Sequence, residues 1–527
     1  MVSTAGALFT TGEIRAIEAE YVLKRPKISL MRRAGAAVAK LALTLTKTAR
    51  RKTASILVLA GPGNNGGDAW VAAAALKKAG QRVSVLALGE QKFTDAAQLA
   101  RTEFVRAKGI VCSEFPDAEA FDLIVDGLFG IGLARAPAGV FSTAIAHVNE
   151  LAKKHESGGA IILSIDVPSG LSSDTGVALG ETIIAHHTLT FLGLKPGLYT
   201  AEGRDYAGEV HLDTLGVDTS EKGSGHLLTA DCVRTLIPSR RHHSHKGIFG
   251  NVGIIGGADG MVGAAVLAAR AALYMGPGKV FLGVSAKDVP AFDPLNPEIM
   301  VRKAEDLIND ESLTAFAIGM GLGTDKSAPR LLSAMLGRRL PMVLDADALN
   351  LVAATPGFAA LLGTPQENTS IGEPFQAKML QTPHPCWTIV LTPHPGEAAR
   401  LLNVTVAHLQ ADRVTSAIAL AKRFNSIVVL KGAGTVIAVP DGRYFINTSG
   451  NPGMASGGMG DALSGMIAAF LAQGLDALAA AKLAVYLHGA AADACIAHGM
   501  APLGLTASEV IFEARMLLNA GLEHHDH

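Results

Sequence analysis

Short, unbroken apolar runs recur along this chain, each closing on glycines or on an acid, and they alternate with segments of helical period. Residues 10–48 space Ala, Leu, Val and Ile at helical intervals. "SILVLAGPGNNGGDAWVAAAALKKAGQRVSVLAL" then reads as strand (55–60), glycine loop (61–67), helix (68–79) and strand (82–88), a βαβ unit. Three further apolar runs end in polar residues: "FDLIVDGLFGIGL", "AIILSIDVPSG" and "HTLTFLGLKPG". Strands separated by helices imply a parallel sheet covered on both faces. The expected fold is therefore α/β, beginning with a doubly wound, Rossmann-like sheet.

The pattern lapses in "VDTSEKGSGHLLTADCVRTLIPSR" and resumes with "NVGIIGG", "GKVFLGVS", "AFAIGMGLG", "PMVLDADALN", "TIVLTPHPGE" and "SIVVLKGAGTVIAV". A boundary is expected near 218–225, giving domains 1–220 and 221–527. The last run passes through "DGR" into "YFINTSG", a hairpin appended to a parallel sheet. Residues 362–386, rich in Pro and polar residues, read as a surface insertion. No repeat of 20–50 residues is visible, which excludes a solenoid.

A chain of 527 residues needs more than one core. It is 49% hydrophobic with mean hydropathy +0.30, which excludes disorder. Lys+Arg 46 against Asp+Glu 47 leaves a net charge of −1, so no basic field argues for nucleic acid. Cys112, Cys232, Cys386 and Cys495 lie far apart and form no CxxC pair, which points to free thiols in a reducing, cytoplasmic setting. The N-terminus lacks a signal-peptide pattern, and the apolar stretch 462–475 is too short and glycine-broken for a membrane span.

Ligands of open α/β sheets sit beyond the carboxyl ends of the strands. Asn64, Asn65 and Asp68 follow the strand 55–60, Asp126 ends 121–126, and Asp166 ends 161–166 with Ser169 after it. Each acid taken alone is more often a turn or helix cap; three at one sheet edge are harder to dismiss. "GPGNNGGD" is neither GxGxxG nor the GxxxxGK[ST] phosphate loop. Its amides suit a sugar, an amide or a hard cation. With "DGLFGIGL", "SIDVPSG", "LTFLGLKPGL" and "AGEVHLDTLGV", residues 10–215 resemble the YjeF N-terminal family, the NAD(P)H-hydrate epimerases. The resemblance implies K⁺ held at Asn65, Asp126 and Ser169. It implies substrate contacts at Asn64, Asn65, Gly66, Gly67 and Asp68, through Gly130, Ile131, Gly132, Leu133, Ala134, Arg135 and Ala136, and at Asp166, taken as catalytic. Arg32 stands where the family commonly carries an acid.

Farther on, "NTSGNPGMASGGMGDALSGMIAAF" (447–470) packs glycines around Asp461 at the start of an apolar segment. Bare backbone at a helix N-terminus suits an anion, and the same field disfavours protonation of an aspartate there. The bland alternative is a tight turn with Asp461 as cap. "KGAGT" upstream offers Lys431 and successive backbone N–H groups of Gly432, Ala433, Gly434 and Thr435. Together the two loops make a phosphate site with Asp461 as base. They resemble the ribokinase-like fold and, more closely, the YjeF C-terminal family of ADP- or ATP-dependent NAD(P)H-hydrate dehydratases. "HKGIFGNVGIIGGADGMVGAA", "NPEIM", "VLDADALN", "LTPHPGEAARLL", "VVLKGAGTVI" and "NPGMASGGMGDALSG" carry that likeness over about 225–520. It implies substrate contacts at Ala264, Gly323, His394 and Asp461, and nucleotide contacts at Lys431–Thr435 and Gly460. Met320 replaces the family's usual proline in "GMGLG". Of the two "TPHP" stretches only that of His394 follows a strand, so His384 is assigned to the insertion. His242, His243 and His245 read as a solvated basic entry to Lys246 rather than a metal site.

The expectation is a bifunctional repair enzyme. One domain epimerises R and S hydrates of NADH and NADPH; the other dehydrates the S form with ADP or ATP and Mg²⁺, ADP being favoured by the likeness to bacterial fusions. A homo-oligomer is expected, without nucleic-acid or membrane partners. The alternative is a small-alcohol kinase fused to a non-catalytic ligand-binding module.

Overall fold

The computed structural model describes residues 6–25, 29–48, 53–90, 94–116, 121–152, 159–219, 223–363, 388–500 and 502–522. The chain divides into two compact units, Met1–His226 and Leu227–His527.

In the first unit, β1 (Ala7–Leu8) pairs antiparallel with Gly225 and His226, and two helices, Thr11–Lys24 and Leu30–Leu45, occupy the stretch of helical period. Seven strands follow: β2 (Ser55–Ala60), β3 (Arg82–Ala87), β4 (Ile110–Cys112), β5 (Leu123–Gly127), β6 (Ile161–Ile165), β7 (His187–Phe191) and β8 (Glu209–Asp213). They lie in the order β4-β3-β2-β5-β6-β7-β8, and every pairing is parallel. β2 and β5 are buried throughout, as strands covered on both faces must be. The order reverses between β2 and β5, so a crevice opens at their carboxyl ends.

The expected glycine loop 61–67 is shorter in the structure. The helix starts at Asn64 and runs to Lys78, with Gly63 as N-cap. A Cβ on Gly66 would overlap the Gly61 carbonyl oxygen, so these glycines let the first helical turn press onto the preceding loop. They serve close approach within a helix rather than loop flexibility.

In the second unit the strands are β9 (Gly225–Leu228, whose first two residues belong to the first unit), β10 (Asn251–Gly256), β11 (Lys279–Val284), β12 (Met300–Lys303), β13 (Ala315–Ile318), β14 (Met342–Leu344), β15 (Ile389–Leu391), β16 (Ile427–Leu430), β17 (Val436–Ala438) and β18 (Tyr444–Asn447). Their order is β9-β18-β17-β16-β15-β14-β13-β10-β11-β12. β10 to β16 pair in parallel, whereas β16-β17 and β17-β18 are antiparallel, the expected hairpin. β12 was not expected, because "MVRK" is half polar. The helices Met459–Ala472 and Ala477–Ala497 supply much of the core. Residues 364–387 of the expected insertion, His384 among them, lie outside the described residues.

Candidate functional sites

In the first unit the crevice between β2 and β5 is lined by the residues that follow each strand. Asp126, on β5, is fully buried. Its Oδ1 accepts from the Ser169 hydroxyl (2.6 Å) and the Leu128 N–H (3.2 Å); its Oδ2 accepts from the Ser164 hydroxyl (2.9 Å) and the Ser169 N–H (2.9 Å). Burial pushes this carboxyl above its ordinary range, and the hydrogen bonds from Ser169, Leu128 and Ser164 oppose the shift. Asn65, also buried, donates from Nδ2 to the Phe129 carbonyl (2.9 Å), the same oxygen reached by the Ser169 hydroxyl (3.2 Å). The Asn65 Oδ1 would stand 3.2 Å from a Cβ on Gly130, so the carboxamide lies against that glycine. A carboxylate, a carboxamide, a hydroxyl and a carbonyl thus converge. This all-oxygen set, around an acid with no ionic partner among the described residues, fits a hard cation.

Asp166 follows β6 with φ 67°, a left-handed backbone that an aspartate tolerates better than most residues. Its Oδ1 accepts from Lys195 Nζ (2.5 Å), the Thr190 hydroxyl (3.2 Å) and the Phe191 N–H (3.2 Å). Lys195 is fully buried, and its ammonium also donates to the Phe191 carbonyl (2.7 Å) and the Thr190 hydroxyl (2.9 Å), so all its directions are used. Two further acids face this centre. Asp68, partly open to solvent yet closely surrounded, has its carboxyl raised well above the ordinary range by burial, then by Asp166 and Glu18. Glu18, on the first helix, is raised by burial and by Asp166, with Lys195 and Arg15 opposing. The centre thus combines an ion pair with two carboxyls biased toward carrying a proton. Asn64 is exposed, and Gly130–Leu133 forms a turn closed by the Leu133 N–H on the Gly130 carbonyl (3.2 Å). Ala134, Arg135 and Ala136 lie exposed beyond it, with Ile131 half-buried and Gly132 near Arg15.

In the second unit the order reverses between β10 and β13. The helix after β10 brings Ala264 against Gly321, in the loop after β13, and the Gly323 N–H donates to Asp347 Oδ2 (2.8 Å). Met320, in place of a proline, is wholly buried there. Lys431, after β16, donates to the buried Asp345 Oδ1 (2.8 Å), whose Oδ2 accepts from the Ser464 hydroxyl (2.7 Å). A Cβ on Gly460 would lie 3.1 Å from Lys431 Nζ, which places the start of the helix Met459–Ala472 beside that lysine. Its N-cap, Gly458, gives no side-chain cap, so nothing from the cap residue competes for the first-turn N–H groups. The Lys431–Thr435 loop joins β16 to β17 and is held from below by buried Arg413, which donates to the carbonyls of Leu430 (3.3 Å) and Lys431 (3.2 Å). Burial lowers that guanidinium to about 10.

Asp461, third residue of the same helix, departs from expectation. The helix N-terminus should hold it ionised; instead its pKa is raised to about 6, by burial first and then by Asp345, with Lys431 opposing and Asp347 adding. Loss of water and a like charge outweigh the helix field. His394 caps the helix Pro395–Leu402: its Nδ1 accepts from the Gly396 N–H (2.9 Å) and its Nε2 lies 3.3 Å from Glu397. Burial and the nearby Lys431 push the imidazole below its ordinary value. The Lys431 N–H donates to the Pro393 carbonyl (2.9 Å), so the two loops adjoin.

Lys195, Asp345, Arg413 and Glu18 escaped the sequence reading. Asp345 obeys the rule that selected Asp126 and Asp166, an acid closing an apolar run. Lys195 sits in "LGLKPG" just past β7, a position where a lysine ordinarily reads as solvated. His242, His243 and His245 are exposed and belong to no metal-type cluster among the described residues.

Each unit therefore holds its own polar centre at a switch point of its sheet, the place where open α/β enzymes bind small molecules. The family described as YjeF-related protein N-terminus matches residues 27–197, and that described as NAD(P)H-hydrate dehydratase matches 252–369 and 374–513. The chain is 38% identical to the bifunctional NAD(P)H-hydrate repair enzyme Nnr of Escherichia coli K12, over 97% of this chain and 93% of that one. It is 36% identical to the Nnr enzyme of Coxiella burnetii, over 93% and 94%. Among solved structures, an ADP/ATP-dependent NAD(P)H-hydrate dehydratase from Bacillus subtilis, co-crystallised with ATP and Mg²⁺, is 30% identical over 56% of this chain and 98% of its own, with a TM-score of 0.45. The chain belongs to the bifunctional NAD(P)H-hydrate repair enzymes, which join an epimerase to a dehydratase.

Proposed function

We propose that residues 1–220 interconvert the R and S hydrates of NADH and NADPH, and that residues 221–527 dehydrate the S hydrate at the expense of ADP. The observation that carries this reading is the repeated juxtaposition of a lysine-bound acid with a second, proton-biased carboxyl in each unit.

In the first unit, Asp68 or Glu18, both biased toward carrying a proton, donates to the C6 hydroxyl. The C6–O bond breaks, water leaves, and the cation is shared with the ring nitrogen. Asp166, fixed by Lys195, takes a proton from a water whose oxygen adds to the opposite face, and that proton returns through solvent to the donor carboxyl, so the net change is configuration alone. The Asn64–Asp68 turn and Gly130–Ala136 border the substrate. K⁺ would be held by Asn65, Asp126 and Ser169, and would supply a fixed positive charge.

In the second unit, Asp461 takes the hydroxyl proton while the oxygen bonds to the terminal phosphorus of ADP, releasing AMP. Phosphate then leaves C6 and the C5 proton passes to solvent, restoring the double bond. Lys431–Thr435 and Gly460 cradle the phosphates; Ala264, Gly323 and His394 border the nicotinamide hydrate. Mg²⁺, held by the diphosphate and the neighbouring carboxylates, would neutralise charge.

No described helix is long and apolar enough to cross a membrane; cytoplasmic residence and a homo-oligomeric state complete the reading. Recovery of NADH from a mixed hydrate, with ADP and then with ATP, tests it. Full recovery with release of free phosphate is expected. A stable phosphorylated product would favour a small-alcohol kinase, and recovery with ATP alone would overturn the assignment of ADP.

A further inference from the structure

Glu209 and His211 are two residues apart on β8 and therefore face the same side of the sheet. His187, the first residue of β7, stands opposite Glu209 in the parallel register. His187 Nδ1 is 3.1 Å from His211 Nε2 and 3.4 Å from Glu209 Oε2, and His211 Nε2 is 3.8 Å from Glu209 Oε1. Two zinc-bound atoms at ordinary bond lengths sit about 3.3 Å apart on a tetrahedron edge. The two imidazole nitrogens lie slightly inside that value, and the two carboxylate oxygens of Glu209 face them one each, Oε2 toward His187 and Oε1 toward His211, slightly outside it. The two imidazoles are mostly buried, whereas Glu209 is 67% exposed, so the cluster opens to solvent on one side.

We propose that His187, Glu209 and His211 form a three-ligand site for a zinc-class divalent cation, with a fourth position open to water. Two imidazoles and one carboxylate suit Zn²⁺, Co²⁺ or Ni²⁺ and are a poor match for Mg²⁺ or K⁺. The cluster lies at the amino-terminal ends of β7 and β8. Asp166 and Lys195 lie past the carboxyl ends of their strands, so the metal takes no part in hydrate chemistry. It ties β8, the edge strand of the sheet, to β7, and an edge strand gains most from such a brace.

The test uses the full chain, stripped with a chelator, with His242, His243, His245, His524, His525 and His527 changed to Ala so that the two histidine-rich stretches do not contribute. Calorimetric titration with Zn²⁺ should show one equivalent bound, and Co²⁺ should give the visible absorption of a low-coordinate site. His187→Ala and His211→Ala should each weaken Zn²⁺ binding by about 100-fold or more, beyond what loss of a ligand's hydrogen-bond partner costs. Glu209→Gln should weaken it by about 10-fold. At a Zn²⁺ concentration just above the dissociation constant of the reference protein, the melting temperature should rise for that protein, less for Glu209→Gln, and not for the two histidine variants, while the epimerisation rate at moderate temperature stays unchanged. If His187→Ala does not fold, as judged by circular dichroism, His211→Asn and Glu209→Gln decide the matter. No uptake of Zn²⁺ by the reference chain, or equal uptake by the variants, overturns the site.

Discussion

Asp461 and Lys195 show opposite ways of burying charge. Asp461 has a pKa raised from 3.8 to about 6, so between those values the folded chain holds a proton that the unfolded chain has lost. Stability from this group is full below about pH 4 and is lost as pH rises through about 6. Asp461→Asn should therefore melt with the parent near pH 4 and above it near pH 8, by scanning calorimetry at both. The same variant should lose dehydration by about 10²–10⁴-fold while still binding nucleotide. In the parent, dehydration should rise with pH through about 6 as the base ionises. Near-normal turnover with a lower melting point would reduce Asp461 to a structural residue of the helix's first turn. Lys195 is fully buried against a carboxylate. Lys195→Met should cost about 3–5 kcal/mol in urea unfolding of the first unit, because Asp166 is stranded. Adding Asp166→Asn should restore much of that stability without restoring epimerisation. Asp126 and Asp166 drew attention because acids closing apolar runs are conspicuous, and Asp461 because glycines surround it ahead of one. Lys195 was not, since only the tertiary fold shows that its ammonium is enclosed.

Among the elements, the parallel strands were the most legible, because burial on both faces leaves no polar position to confuse the pattern. The helix start at Asn64 was not. Propensity reads "GPGNNGG" as loop, and close packing of Gly66 on Gly61 overrides it. Gly66→Ala would gain up to about 1 kcal/mol of helix propensity. The clash with the Gly61 carbonyl should outweigh this, at about 1–3 kcal/mol or more, and shift Asn65 away from Asp126 and Ser169. Gly63→Ala is the control: a Cβ there meets nothing within 4 Å. Epimerisation and chemical denaturation of both variants check the contrast; equal behaviour would remove the helix start from the site. β12 and the short β4 went unread because none of their positions is fully buried.

At the scale of the whole molecule, each unit has its own sheet, core and polar centre. Residues 227–527 expressed alone should consume S hydrate and leave R hydrate at its spontaneous rate, followed by chromatography of the two epimers. Loss of both at the enzymatic rate would defeat the division of labour. The enclosed ammonium of Lys195 also makes the first unit self-reporting. An acylating reagent cannot reach that amine while the sheet is intact, yet modifies surface lysines such as Lys24 and Lys78 at once. Mass spectrometry of Lys195 acetylation after a brief pulse would thus count openings of the first unit within the full-length chain, with no probe added to the protein and no need to separate the two halves.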